Sequence, residues 1–140
     1  MNFKRKSYII KFYKEIKVYS KNNKTAVFLA KCAGLIYNKR MSDFFNAVYE
    51  FVKTVPKGKV TTYGDVARAV GKPRASRQVG WALHSNPYQG TVPCHRVVFK
   101  DGSLTEGFAF GGKDVQKAEL VSEGVPFIGD YKVDINKCRF

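Results

Sequence analysis

Glycine and proline cut most of this chain into pieces too short for long helices or broad sheets. Pro56 and Gly58, Gly71 and Pro73, Asn86-Pro87, Gly111-Gly112 and Gly124 separate its apolar runs. Proline removes a helical donor, and glycine takes positive φ without steric cost, so each of these sites ends or turns an element. Between the stops, Ser42 is placed as an N-cap, with Asp43 in the first turn and Phe44, Phe45, Val48, Phe51, Val52 and Val55 at roughly helical spacing. Thr62 is placed to cap a second helix over residues 63–70, closed by Gly71. A third helix is predicted over 75–84 and a last one over 113–122, stopped by Gly124. Residues 91–100 are rich in β-branched types and read as strand-like around a Pro-Cys turn; 103–110 reads as a loop.

Two short helices joined by a tight Gly/Pro turn suit a helix-turn-helix. The expected fold is mostly α, a winged-helix-like domain with a short β element around Cys94 and a basic extension before it. Three parts follow: a basic N-terminal extension (1–41), the main domain (42–127) and a C-terminal tail (128–140) that the pattern leaves unassigned. In the extension, 7–19 fits either a strand or a basic helix, and 24–37 fits a short helix weakened by Gly34. Met41 is an alternative start.

The net charge is +14, which points to a polyanionic partner, nucleic acid being the commonest. Residues 1–41 hold 11 Lys/Arg against one acid, and the remainder 14 against 10, so the main domain and tail carry only +4. No apolar run is long enough to span a bilayer and no signal-peptide layout is present, so a cytoplasmic protein with no membrane partner is expected. Cys32, Cys94 and Cys138 are widely spaced, as free thiols of a reducing compartment would be. With no CxxC and only His84 and His95, no metal site is expected.

Chemistry concentrates in Pro93-Cys94-His95-Arg96-Val97. A thiol attacks as thiolate, and a neighbouring base or cation shifts that balance. An arbitrary cysteine in a strand is more often buried and inert, and a strand would turn Cys94 and His95 to opposite faces. A turn is needed to make the pair productive.

The wider pattern supplies context. "VPKGKVTTYGDVA" (55–67), "SRQVGWALHSNP" (76–87), "VPCHRVV" (92–98), Gly111-Gly112 and "ELVSEG" (119–124) occur in that order. Together they resemble the DNA-binding and active-site domain of the O6-alkylguanine-DNA alkyltransferases, over residues 44–127. The resemblance implies direct, single-turnover transfer of an alkyl group from O6-alkylguanine in double-stranded DNA to Cys94, with no cofactor. It implies His95 as the base, acting through a water, Glu123 as its orienter and Asn86 as a brace of the turn. Tyr63 matches the tyrosine that donates to the purine and crowds the flanking phosphate. Arg77 matches the arginine inserted where the flipped nucleotide leaves the stack, on a helix used in the minor groove. Thr62, Ala75, Ser76, Gly80 and His84 complete the expected DNA-binding set, and Pro93, Val97, Leu83, Phe108, Phe110 and Ser103 the expected substrate pocket. Trp81 is read as core or pocket wall. A monomer is expected, nucleoid-associated in a prokaryote.

Two departures qualify this. Complete bacterial and animal enzymes carry a larger N-terminal domain than 41 residues can form. Short alkyltransferase-like proteins bind the lesion without transfer and flag it for excision repair, often with Trp in place of the cysteine. Excision-repair proteins are the partners expected on that alternative. The loop "SLTEGFAF" (103–110) is two residues longer than the common enzyme pattern and lacks its Tyr-Ser pair.

Overall fold

The computed structural model describes residues 24–140, with side chains from residue 38 onward. The region 7–19 lies outside the described residues. The chain divides into two compact units, Met1–Ser42 and Asp43–Phe140, and the core and cavity belong to the second.

The described chain is mostly helical with small sheets, as the punctuation predicts. Helix α1 spans Lys24–Lys53, which corrects the helix start placed at Ser42. Nothing between residues 35 and 53 is proline or glycine, and one interior serine costs only about half a kcal/mol of helix propensity. Its cap potential is therefore insufficient to break a helix favoured on both sides. Phe44, Val48, Tyr49 and Val52 fall on one face of α1 and are buried. Each such side chain contributes roughly 1.5–3 kcal/mol on leaving water.

Strand β1 (Thr61–Thr62) leads into α2 (Tyr63–Ala69). Thr62 caps α2 as expected: its Oγ1 accepts from Asp65 N at 3.1 Å and donates to Asp65 Oδ2 at 2.8 Å. Gly71, at φ +74°, closes α2, with Gly71 N donating to Arg68 O and Lys72 N to Ala67 O. That paired bonding is a Schellman turn, in which positive φ strongly favours glycine. Helix α3 (Ser76–His84) follows and packs on α2. A 3-10 turn, Cys94–Arg96, precedes β2 (Val97–Val98), which pairs parallel with β1 in register Thr61↔Val97 and Thr62↔Val98. The strand-like reading of 91–100 thus shrinks to two residues, with the turn at Cys94.

Helix α4 spans Gly112–Ser122. The residues set apart in sequence as a tail form the hairpin β3 (Phe127–Gly129) and β4 (Lys132–Val133), then α5 (Ile135–Cys138). Val133 and Cys138 enter a second core cluster with Val60, Val98, Leu104, Leu120 and Val125. Gly102 touches this hairpin closely: at φ +88°, an added Cβ would meet Val133 O at 2.5 Å. The first core cluster unites α1, α2 and α3 with Val92, Cys94, Val97 and Phe108.

Candidate active site and DNA-facing cavity

The 3-10 turn decides where consecutive side chains go. Cys94 points into a cavity of about 480 Å³ between α2, α3 and the loop before α4. Tyr63 lies on one wall; Ser76, Arg77, Gly80, Trp81, Leu83 and His84 of α3 form another. Phe99, Thr105, Gly107, Phe108 and Ala109 complete the lining. The walls are chiefly apolar. Arg77 is exposed at this cavity.

Cys94 is only 6% exposed. Asn86, itself buried, donates from Nδ2 to Sγ at 3.0 Å, while its Oδ1 accepts from Tyr88 N at 2.9 Å. Burial pushes the thiol up to about 11; the Asn86 hydrogen bond and the backbone oppose this, and the charge of Glu119 adds to it. Burial likewise raises the Tyr63 hydroxyl, against a hydrogen bond with Thr105.

His95 and Arg96 meet α4 instead. His95 Nε2 lies 2.9 Å from Glu123 Oε1, and Nδ1 lies 3.0 Å from Glu119 Oε2. Arg96 grips Glu123 with two nitrogens, Nε to Oε2 at 2.9 Å and Nη2 to Oε1 at 2.6 Å, and donates from Nη1 to Val55 O at 2.5 Å. Burial alone would raise the Glu123 carboxyl. The bonds from Arg96 and His95 overcome it and hold the group at about 2.

Gln116 ties these parts together. Fully buried, it donates from Nε2 to His95 O and Val97 O, each at 3.1 Å, and accepts from Thr105 N at 3.2 Å. One side chain thereby joins the 94–96 turn to the cavity loop. Gln116, Glu119 and Thr105 were not selected from sequence, and Arg96 was weighed only as a neighbour of the thiol. Gln116 carries no local signal beyond being polar on the buried stripe of α4.

The expected site residues divide into those brought together and those that are not. Cys94, Asn86 and Tyr63 converge, and His95 meets Glu123. Leu83, Phe108, Ser76, Gly80, Arg77 and His84 line the cavity. Val97 does not; it is fully buried in the first core cluster because β2 turns it inward. Phe110 stacks edge-on behind Phe108 at 5.7 Å and supports the wall without being part of the lining. Pro93 lies outside the lining, preceding the turn. Ser103 is spent on Asp101, donating to Oδ2 at 2.7 Å; Thr105 supplies the cavity hydroxyl instead. Thr62 and Ala75 are buried, the first capping α2 and the second in the core, so neither side chain faces outward. His84 Nδ1 lies 3.2 Å from Gly107 O, joining α3 to the loop. Among the described residues, no group of three or more His, Cys, Asp or Glu is arranged to hold a metal ion.

A helix pair set over a cavity with a thiol in its wall defines a helix-turn-helix class with a cysteine at its cavity. Comparison with known proteins makes this specific. Residues 43–125 match the family described as 6-O-methylguanine DNA methyltransferase, DNA binding domain, and the chain belongs to that family. It is 38% identical over 104 residues to the DNA base-flipping protein of Escherichia coli (strain K12), covering 73% of this chain and 78% of that one. It is 42% identical over 83 residues to a methylated-DNA–protein-cysteine methyltransferase of Methanosarcina acetivorans, covering 59% of this chain and 52% of that one. The fold matches S. pombe Atl1, crystallised in complex with damaged DNA containing O6-carboxymethylguanine, with TM-score 0.65 and 35% identity over 71% of this chain and 95% of that one. The family thus includes both methyltransferases and base-flipping or alkyltransferase-like proteins.

Proposed function

We propose that this chain repairs O6-alkylguanine in double-stranded DNA by transferring the alkyl group to Cys94 in a single turnover. The observation that carries this reading is the Cys94 thiol in the wall of a largely apolar cavity beside α3. A base inside a duplex is out of reach, so the nucleotide must be flipped out, at a cost of a few kcal/mol. Arg77 is exposed beside the cavity and suited to fill the gap. The Atl1 neighbour, bound to damaged DNA, supports DNA as the partner.

In the step proposed, the thiol proton passes to His95, directly or through solvent. The sulfur pair forms the S–C bond while the alkyl C–O bond breaks, and that electron pair leaves with guanine. Tyr63 gives a proton to the departing purine and regains one from His95 through solvent, so the thiol proton ends on guanine, while Thr105 offers the purine a hydroxyl. Glu123, kept ionised by Arg96, orients His95 and balances its positive charge. Asn86 steadies the sulfur and the chain beyond α3. The product thioether has no good leaving group, so the protein is consumed.

Incubation with duplex DNA containing O6-methylguanine should add the mass of one methyl group at Cys94, read by intact and peptide mass. Cys94→Ser should lose the gain while still binding the lesion. A Ser variant that still demethylates DNA would remove Cys94 as acceptor.

A second reading is lesion binding without transfer, as in the alkyltransferase-like relatives. It is favoured by the thiol's rise to about 11 and by the fuller coverage of the short relatives, 78% and 93% of their lengths against 52% of the methyltransferase. Lesion binding with no mass change is its signature.

A further inference from the structure

His95 is engaged at both ring nitrogens, by Glu123 at 2.9 Å and by Glu119 at 3.0 Å. A carboxylate oxygen accepts and cannot donate, so the hydrogen bond to Glu123 takes the Nε2 hydrogen and leaves Nδ1, which faces Glu119 at ion-pair distance, as the nitrogen able to carry a lone pair. With the Glu119 carboxylate against it, that lone pair is not open to a thiol. Glu119 lies in the last turn of α4 and Glu123 is the C-cap that follows it, four residues on, where like charges repel. Arg96 compensates Glu123, whose side chain is only 9% exposed. Glu119 is 44% exposed, and among the described residues its ion-pair partner is His95. It is the member of the pair able to leave for solvent.

We infer that Glu119 is a positioning residue that occupies the ring nitrogen through which His95 takes the Cys94 proton, so that its withdrawal precedes attack on the alkyl group. This rests on Cys94 being the acceptor and His95 its base. Other groups also face the pair. Tyr49 approaches Cys94 from α1, Tyr63 from α2 and Asn86 from the segment after α3, while Arg96 lies on the His95 side. Arg77 and His84 share the cavity. Glu119 and Glu123 both touch His95, and of the two it is Glu119 whose charge also works against ionisation of the thiol. Removing it frees a base and removes an opposing charge, and both changes favour thiolate.

The test is the pH profile of Cys94 modification by iodoacetamide in the full chain, resolved by peptide mass from Cys32 and Cys138. Glu119→Gln and Glu119→Ala should each move the profile down by about one pH unit, roughly a tenfold gain in thiolate at neutral pH. Asp114→Asn removes a charge from the same helix at a residue bonded to Tyr131 and should leave the profile in place. An unmoved profile in both Glu119 variants, or an equal shift in Asp114→Asn, overturns the assignment. Transfer from methylated DNA is scored in parallel. A shifted profile with no methyl gain in any chain keeps the role of Glu119 and ends the transfer reading. A wild-type methyl gain with an unmoved profile does the reverse.

Discussion

The two sides of the 94–96 turn treat charge in opposite ways. On the cavity side, the buried Cys94 sulfur has the Asn86 amide against it and apolar walls around it, and its ionisation is pushed up to about 11. On the α4 side, His95, Arg96, Glu119 and Glu123 interlock, and Glu123 is held near 2. The difference is one of solvation. A buried charge is tolerated where donors replace water and is refused where they do not. The turn therefore stores its ionic cohesion on the α4 side of Cys94 and keeps the thiol neutral on the cavity side.

The largest test breaks the charged side. Glu123→Gln leaves Arg96 buried without its full partner and should destabilise the fold by about 3 kcal/mol, read by urea unfolding at neutral pH. The pH dependence follows in sign. A carboxyl depressed from 4.5 to about 2 contributes stability above the upper value, and that contribution fades as pH falls toward the lower one. The gap between wild type and Glu123→Gln should therefore narrow between about pH 4.5 and 2; a constant gap would mean the ionic network does not hold the turn. Next, Gln116→Leu severs the bonds from α4 to His95 O, Val97 O and Thr105 N. With those buried groups left unsatisfied, a loss of about 2 kcal/mol is expected, with faster hydrogen exchange in both the turn and the 103–110 loop. Exchange rising in one segment alone would show that the two sides are held independently. Smallest is Asn86→Ala, which should cost about 1 kcal/mol. It should also move Cys94 alkylation to higher pH, because the amide is the side-chain donor that favours thiolate. An unchanged profile would mean the amide braces the chain without touching ionisation.

Much of this was legible in the residues. Thr62, Asp65 and Gly71 announce a capped and closed helix by local chemistry, and α2 begins and ends where they say. Cys94, His95 and Glu123 were also selected beforehand, through ordered motifs. Ser42 misled because its cap preference is local and weak, whereas α1 continues through it on the strength of both flanks. Ser103 misled because the nearest hydroxyl in sequence is bonded to Asp101, and Thr105 faces the cavity.

By itself, then, the order of residues determined the short helices, their stops and the chemical types gathered near the thiol, since caps, turns and apolar spacing act within a few residues. Tertiary structure alone decided that His95 and Arg96 turn to α4 while Cys94 turns to the cavity, and that Glu119 and Gln116 meet that turn from more than 19 positions along the chain. Which face of a helix docks on which loop depends on packing across the whole core. No local spacing encodes it.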